Sequence, residues 1–177
     1  MTVNAIDGGV EIYDGETLVA IAAPVDAIAP APAPVTPDEA AAAEQDPHQF
    51  AEGCEFPTCF GCGHERADGL RLFAGPVGDG RFAARWIPKE PVDDLLVWAA
   101  LDCPSGAAVW DRPGPPMLLG RFAVHAERPV EQGAPHAIVS QEIERDGRKR
   151  RAAVALYDQA GTRLAHGEAL WIAIRTS

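Results

Sequence analysis

Runs of apolar and β-favouring residues, separated by glycine, proline and aspartate, divide this chain into short extended segments and one long apolar stretch. Residues 9–13 and 17–22 flank Asp14-Gly15, the chemistry of a tight turn, and predict a small hairpin. From Pro24 to Pro37 the chain is rich in alanine and proline, which favours extended, polyproline-like backbone: a linker or a surface-hugging strap. Thr36-Pro37-Asp38-Glu39 then supplies an N-cap, a first-turn proline and a carboxylate three residues on, so a short helix is expected there, fading near Asp46-Pro47.

From residue 54 the pattern is that of a compact domain. Leu70–Phe73 and Arg81–Trp86 read as strands separated by the turn-rich stretch 75–80. The stretch from Asp94 to Trp110 is long, rich in Ala and Leu, and apolar almost all round, which predicts a buried helix that Pro104 kinks or restarts. Four strand candidates follow, Met117–Glu127, His136–Glu144, Arg150–Tyr157 and Leu164–Ile174, with turn signals at Arg128-Pro129, Asp146-Gly147 and Gly161. Their short connections require antiparallel neighbours, since parallel strands need long crossovers. The expectation is an α+β domain with one helix against a mostly antiparallel sheet, residues 54–177, preceded by an appendage, residues 1–53.

Charge changes the picture through its placement. Of 177 residues, the first 65 hold twelve acids and no Lys or Arg, whereas residues 66–177 hold 14 acids and 15 bases. The globular part is therefore near neutral and lacks the broad basic face that nucleic acid requires. No apolar run reaches the ~20 residues of a membrane span, and the N-terminus lacks the cationic start of a signal peptide. The cytoplasm is the expected compartment, with the four cysteines as thiols or ligands rather than disulfides.

Three features carry chemistry. Asp102 is the only charged residue between Leu95 and Trp110 and shares the helix face of Leu95 and Val109. It is either a general base or nucleophile in an apolar cleft, or the cap of a half-helix restarted by Pro104. Cys54, Cys59, Cys62 and His64 are compact enough for zinc, but their spacing is not two regular Cys-x-x-Cys pairs, and packed thiols without metal are the expectation. The run from Arg145 to Arg151 crosses a predicted hairpin turn, where basic side chains either blunt an exposed edge or hold phosphates. No GxGxxG, P-loop, HExxH or GxSxG string is present, so nucleotide-binding, metalloprotease and serine-hydrolase readings gain no support.

The strings Phe56-Pro57-Thr58-Cys59-Phe60-Gly61-Cys62-Gly63, Asp68–Phe73 and Val97–Gly106, with the closing strands from Gly120 to Ile174, resemble hotdog-fold proteins of the thioesterase superfamily, in particular a largely uncharacterised bacterial group. The resemblance covers roughly residues 54–177. It implies an antiparallel sheet wrapped around one long central helix, a homodimer or higher homo-oligomer, and an acyl-thioester site at the subunit interface. In hydroxybenzoyl-CoA and phenylacetate-pathway thioesterases a carboxylate on the central helix is base or nucleophile, and it aligns with Asp102.

Those enzymes precede the helix with a His-Gly-Gly-like segment whose amide polarises the carbonyl. This chain has Lys89-Glu90-Pro91-Val92-Asp93-Asp94 instead, which leaves the amides near Leu95 and Leu96 as candidate donors. Three functions follow: hydrolysis of an acyl-CoA or acyl-carrier-protein thioester, with Arg148, Lys149 and Arg150 meeting the carrier's phosphates; a non-catalytic acyl-thioester or small-ligand binding dimer; or a scaffold whose Cys54–His64 cluster holds zinc and whose acidic arm recruits a partner. No cofactor is expected for the first.

Overall fold

The computed structural model describes residues 1–46, 56–111 and 113–175. Its N-terminal part is a three-stranded antiparallel sheet of β1 (Thr2–Ile6), β2 (Gly9–Asp14) and β3 (Thr17–Ala22). The expected hairpin at Asp14-Gly15 is β2–β3, and β1 extends it by pairing Thr2 with Tyr13 through Ile6 with Gly9.

The main body is a six-stranded antiparallel sheet in the order β4-β5-β7-β8-β9-β6, built from β4 (Gly75–Gly78), β5 (Arg81–Trp86), β6 (Met117–Ala126), β7 (His136–Asp146), β8 (Lys149–Tyr157) and β9 (Arg163–Ala173). One expected strand is absent. Leu70–Phe73 is irregular because Arg71 adopts a left-handed conformation, φ 56°, and the N–H groups of Leu70 and Leu72 donate to the carbonyls of Phe60 and Gly61 at 2.8 and 2.9 Å. The strand lies just beyond, at β4, inside the stretch read as turn. There Gly75 lies against α1's last carbonyls: a Cβ would meet the Ala43 oxygen at 1.9 Å.

Helix α1 (Pro37–Ala43) forms as its capping box requires, with the Thr36 hydroxyl accepting from the Glu39 N–H at 3.2 Å and the Glu39 carboxylate accepting from the Thr36 N–H at 2.7 Å. Helix α2 (Asp94–Ala107) has 14 residues and is of moderate rather than great length. These are the two α-helices among the described residues, and neither is long and apolar enough to cross a membrane.

The two helices occupy opposite faces of the large sheet. Val97, Ala100 and Leu101 of α2 pack with Ala84, Trp86, Ile138, Val154, Leu156 and Ala165. The alternate side chains of the same strands, Ala83, Ala137, Val139, Ala155 and Tyr157, face Ala40 of α1 and Ala31 and Val35 of the alanine–proline segment. Successive strand residues point to opposite faces, so a sheet covered on both sides must be apolar at consecutive positions, as 137–139 and 152–157 are. Small alanines on the outer face let the segment lie close. It is held there by Tyr157, whose hydroxyl donates to the Pro32 carbonyl, and by Arg81, which donates to the Ala33 carbonyl at 3.0 Å. The segment is a strap over the sheet.

Candidate functional site

Helix α2 sets the geometry of the candidate site. Asp93 caps it, its carboxylate accepting from the Leu96 N–H at 2.8 Å. The helix runs unbroken through Pro104, so the alternative that Asp102 caps a second half-helix is overturned: Asp102 stands inside the last two turns. Proline removes one amide there, and the surrounding groups are tied down by side chains. Ser140 donates to the Pro104 carbonyl at 2.7 Å, and Ser105 donates to the Asp102 carbonyl at 2.6 Å.

The helix is not buried all round. Leu95 is 79% exposed and Trp98 41%, whereas Cys103 to Ala107 are buried. Leu95, Trp98 and Asp102 are spaced by three and four residues and so share one face, the face left open beside the β6 edge of the sheet. No described residue donates a hydrogen bond to the Asp102 carboxylate. Burial pushes this carboxyl up to about 6, and the neighbouring Cys59 adds to the shift.

One turn before Asp102, Trp98 meets Phe122 edge to face at 5.4 Å, and both line a cavity of about 570 Å³ shared with residues 23–28, Val124, His125 and His166. Sequence reasoning missed His166. Its Nδ1 lies 2.8 Å from a Glu127 oxygen that also accepts from Arg163 at 2.7 Å. Burial holds its pKa below the ordinary histidine value. Alternation along β9 placed this residue on a strand, but nothing in the sequence paired it with Glu127.

The cysteine constellation is rearranged relative to expectation. Cys59 and Cys62 come together with Cys103, the sulfurs lying within 4.8 Å of one another, and none of the three is in a disulfide. His64 stays outside, exposed, 3.7 Å from Glu65, and Cys54 lies outside the described residues. Cys103 joins because the loop 59–62 packs on α2, where a Cβ on Gly61 would meet the Cys103 sulfur at 2.8 Å. Hydrogen bonding from Cys103, then Cys62, holds the Cys59 thiol down to about 2, and the same contact raises Cys103.

At the β7–β8 hairpin tip the three proposed phosphate contacts are separated. Arg148 donates to the Ala173 carbonyl at 2.8 Å. Arg150 is largely buried against Asp111, 3.4 Å away, a carboxylate it shares with Arg145 at 2.9 Å. Lys149 is exposed on the opposite strand face, beside Arg151, which Glu168 and Glu144 hold.

Comparison with solved structures identifies the fold. The chain is similar to a thioesterase superfamily protein (19% identity, TM-score 0.55, covering 62% of this chain and 60% of that one). It is also similar to zebrafish thioesterase superfamily member 2 (14%, 0.56, 68% and 94%) and to the PaaI protein of the E. coli phenylacetic acid degradation operon (10%, 0.53, 61% and 83%). No family model and no curated protein matches the sequence. At these identities the likeness shows the fold, which is the hotdog fold of thioesterase-superfamily proteins.

Proposed function

We propose that this hotdog-fold chain hydrolyses an acyl thioester of coenzyme A or an acyl-carrier protein at a site completed by a second copy of the chain, with Asp102 as base or nucleophile. The observation that carries this reading is Asp102 itself: a mostly enclosed carboxylate, without a donor among the described residues, on the open face of the helix that crosses the sheet. A carboxylate left unneutralised in an apolar surface is costly as mere structure and useful as a base. It either takes a proton from water, which attacks the thioester carbonyl, or attacks directly to give an anhydride that water then cleaves; in both cases the thiol leaves. The cavity beside Trp98 and Phe122 offers apolar walls for the acyl group.

The oxyanion donor comes from elsewhere than the start of the same helix. Eight residues separate Asp94 from Asp102, about 12 Å at 1.5 Å per residue, whereas a reacting carbonyl lies about 3 Å from both groups. The Leu96 amide named as a donor is moreover already held by Asp93. A second copy, bringing the Leu95 amide of its own helix start against Asp102, fits this requirement, since its Leu96 amide is capped by Asp93 in the same way. The same observations favour one alternative, a non-catalytic dimer that binds acyl thioesters, because a capped amide and a segment without paired glycines supply no evident oxyanion hole. Three cysteines outside any disulfide fit a reducing compartment, and the cytoplasm is the proposed location.

A hydrolysis screen over short, long and aromatic acyl-CoA substrates, run with the wild type and Asp102→Asn, tests the reading. Turnover that falls by about 10²–10⁴ in the variant, with the fold intact, supports it. Unchanged turnover removes Asp102 from the chemistry. Saturable acyl-CoA binding without turnover moves the protein to the binding alternative.

A further inference from the structure

We propose that Cys59, Cys62 and Cys103 bind a zinc ion that staples the loop before β4 to helix α2. The three sulfurs lie within 4.8 Å of one another, and those of Cys59 and Cys103 are 3.4 Å apart. Four sulfurs about 2.3 Å from a tetrahedral zinc stand about 3.8 Å from each other, so the set is near ligand spacing already. It is too long for a disulfide bond, whose sulfurs are about 2.05 Å apart.

The backbone around Cys59 is arranged for a thiolate. Gly61 and Cys62 direct their N–H groups at its sulfur, and the Gly63 N–H donates to the Cys59 carbonyl at 2.8 Å. These bonds close Cys59-Phe60-Gly61-Cys62-Gly63 into a tight knuckle, which aims both loop sulfurs the same way. Gly61 has no side chain to stand between the knuckle and Cys103, which α2 presents from the other side. Soft thiolates select zinc over calcium or magnesium. Three thiolates and Zn²⁺ leave a charge of about −1. The fourth position falls to water or to a donor outside the set. Sequence spacing pointed away from metal because Cys54, Cys59, Cys62 and His64 do not make two regular Cys-x-x-Cys pairs; in the fold His64 stands outside and Cys103 joins Cys59 and Cys62.

Elemental analysis of the full-length chain, purified without added metal or chelator, reads the proposal directly. About one zinc per chain is expected. After exchange, Co²⁺ should give thiolate charge-transfer absorption, and a strong chelator should lower the Tm. Cys62→Ser and Cys103→Ser should each lose most of the metal, while His64→Ala keeps it. Less than about 0.1 zinc per chain in the wild type, with no cobalt spectrum, overturns the site. So does a mass two hydrogens short under non-reducing conditions, which would mark a disulfide instead. None of these readouts requires turnover, so a negative hydrolysis screen leaves this test standing.

Discussion

The indole N–H of Trp171 on β9 donates to the buried hydroxyl of Ser105 at 2.9 Å, and that hydroxyl donates onward to the Asp102 carbonyl. A single serine thus couples the sheet to the turn of α2 that carries the candidate carboxylate. Ser105→Ala leaves a buried indole N–H without its acceptor, which costs about 1–3 kcal/mol. In a Trp171→Phe background that donor is already gone, and the same change should cost much less. Chemical denaturation of the four proteins closes the cycle; equal costs in both backgrounds would show that the two side chains are not coupled.

A second prediction concerns assembly. Leu95 and Trp98 stand exposed on one face of α2, and the neighbouring edge strand β6 pairs with β9 on one side only, with no further strand on its outer edge among the described residues. An apolar helix face beside an open edge is the surface two copies cover by symmetry. Light scattering should give about 38 kDa, twice 18.8 kDa. Leu95→Glu places a charge where a monomer has only solvent, so it should be neutral for a monomer and should dissociate a dimer. A wild type that is monomeric at micromolar concentration refutes this interface.

Where local chemistry decides structure, the sequence was readable. The Thr36–Glu39 capping box, the Asp14-Gly15 turn and strands β5 to β9 lie where their residues put them, within two residues. The misreading at Leu70–Phe73 has a physical cause: its apolar alternation is genuine, since Leu72 is buried, but its hydrogen bonds go to the cysteine loop rather than a strand. Strand β1 was missed because Thr2–Ile6 is exposed throughout and carries no burial pattern. Asp102 was legible as a lone charge in an apolar stretch. The Cys103 and His166 neighbourhoods were not, because each is made by long-range packing that no local spacing encodes.

The strap gives a third prediction. Tyr157→Phe removes the one hydroxyl that ties the Pro32 carbonyl to β8, while leaving the ring in place. A lost buried hydrogen bond of about 1 kcal/mol raises the open fraction of a local segment about fivefold. The Ala29 amide, which donates to Glu168 at 3.1 Å, reports it by hydrogen exchange. Its exchange should speed up, while amides at the centre of β8 keep their rate. Parallel acceleration at both would mean that the tyrosine stabilises the whole domain and not the strap.

The last prediction separates the cations of the β7–β8 tip. Arg150 is enclosed by Asp111 and Glu142, so its charge is answered within the chain, and Arg148 is committed to the Ala173 carbonyl. Lys149, exposed on the other face, retains a charge for a phosphate. If the tip meets the nucleotide of coenzyme A, Lys149→Ala should raise the KM for acyl-CoA several-fold and leave kcat unchanged, because contacts far from the thioester act alike on ground and transition states. The effect should fade with added salt, which screens exposed charges over about 8–10 Å. Arg150→Ala should behave differently: it strips a structural partner from Asp111, so Tm should fall while the salt dependence of KM stays as in the wild type. A short thioester without a nucleotide is the control, and neither salt nor Lys149→Ala should alter its hydrolysis. Equal losses on both substrates would assign the tip to the structure of the sheet edge and place the carrier's phosphates elsewhere.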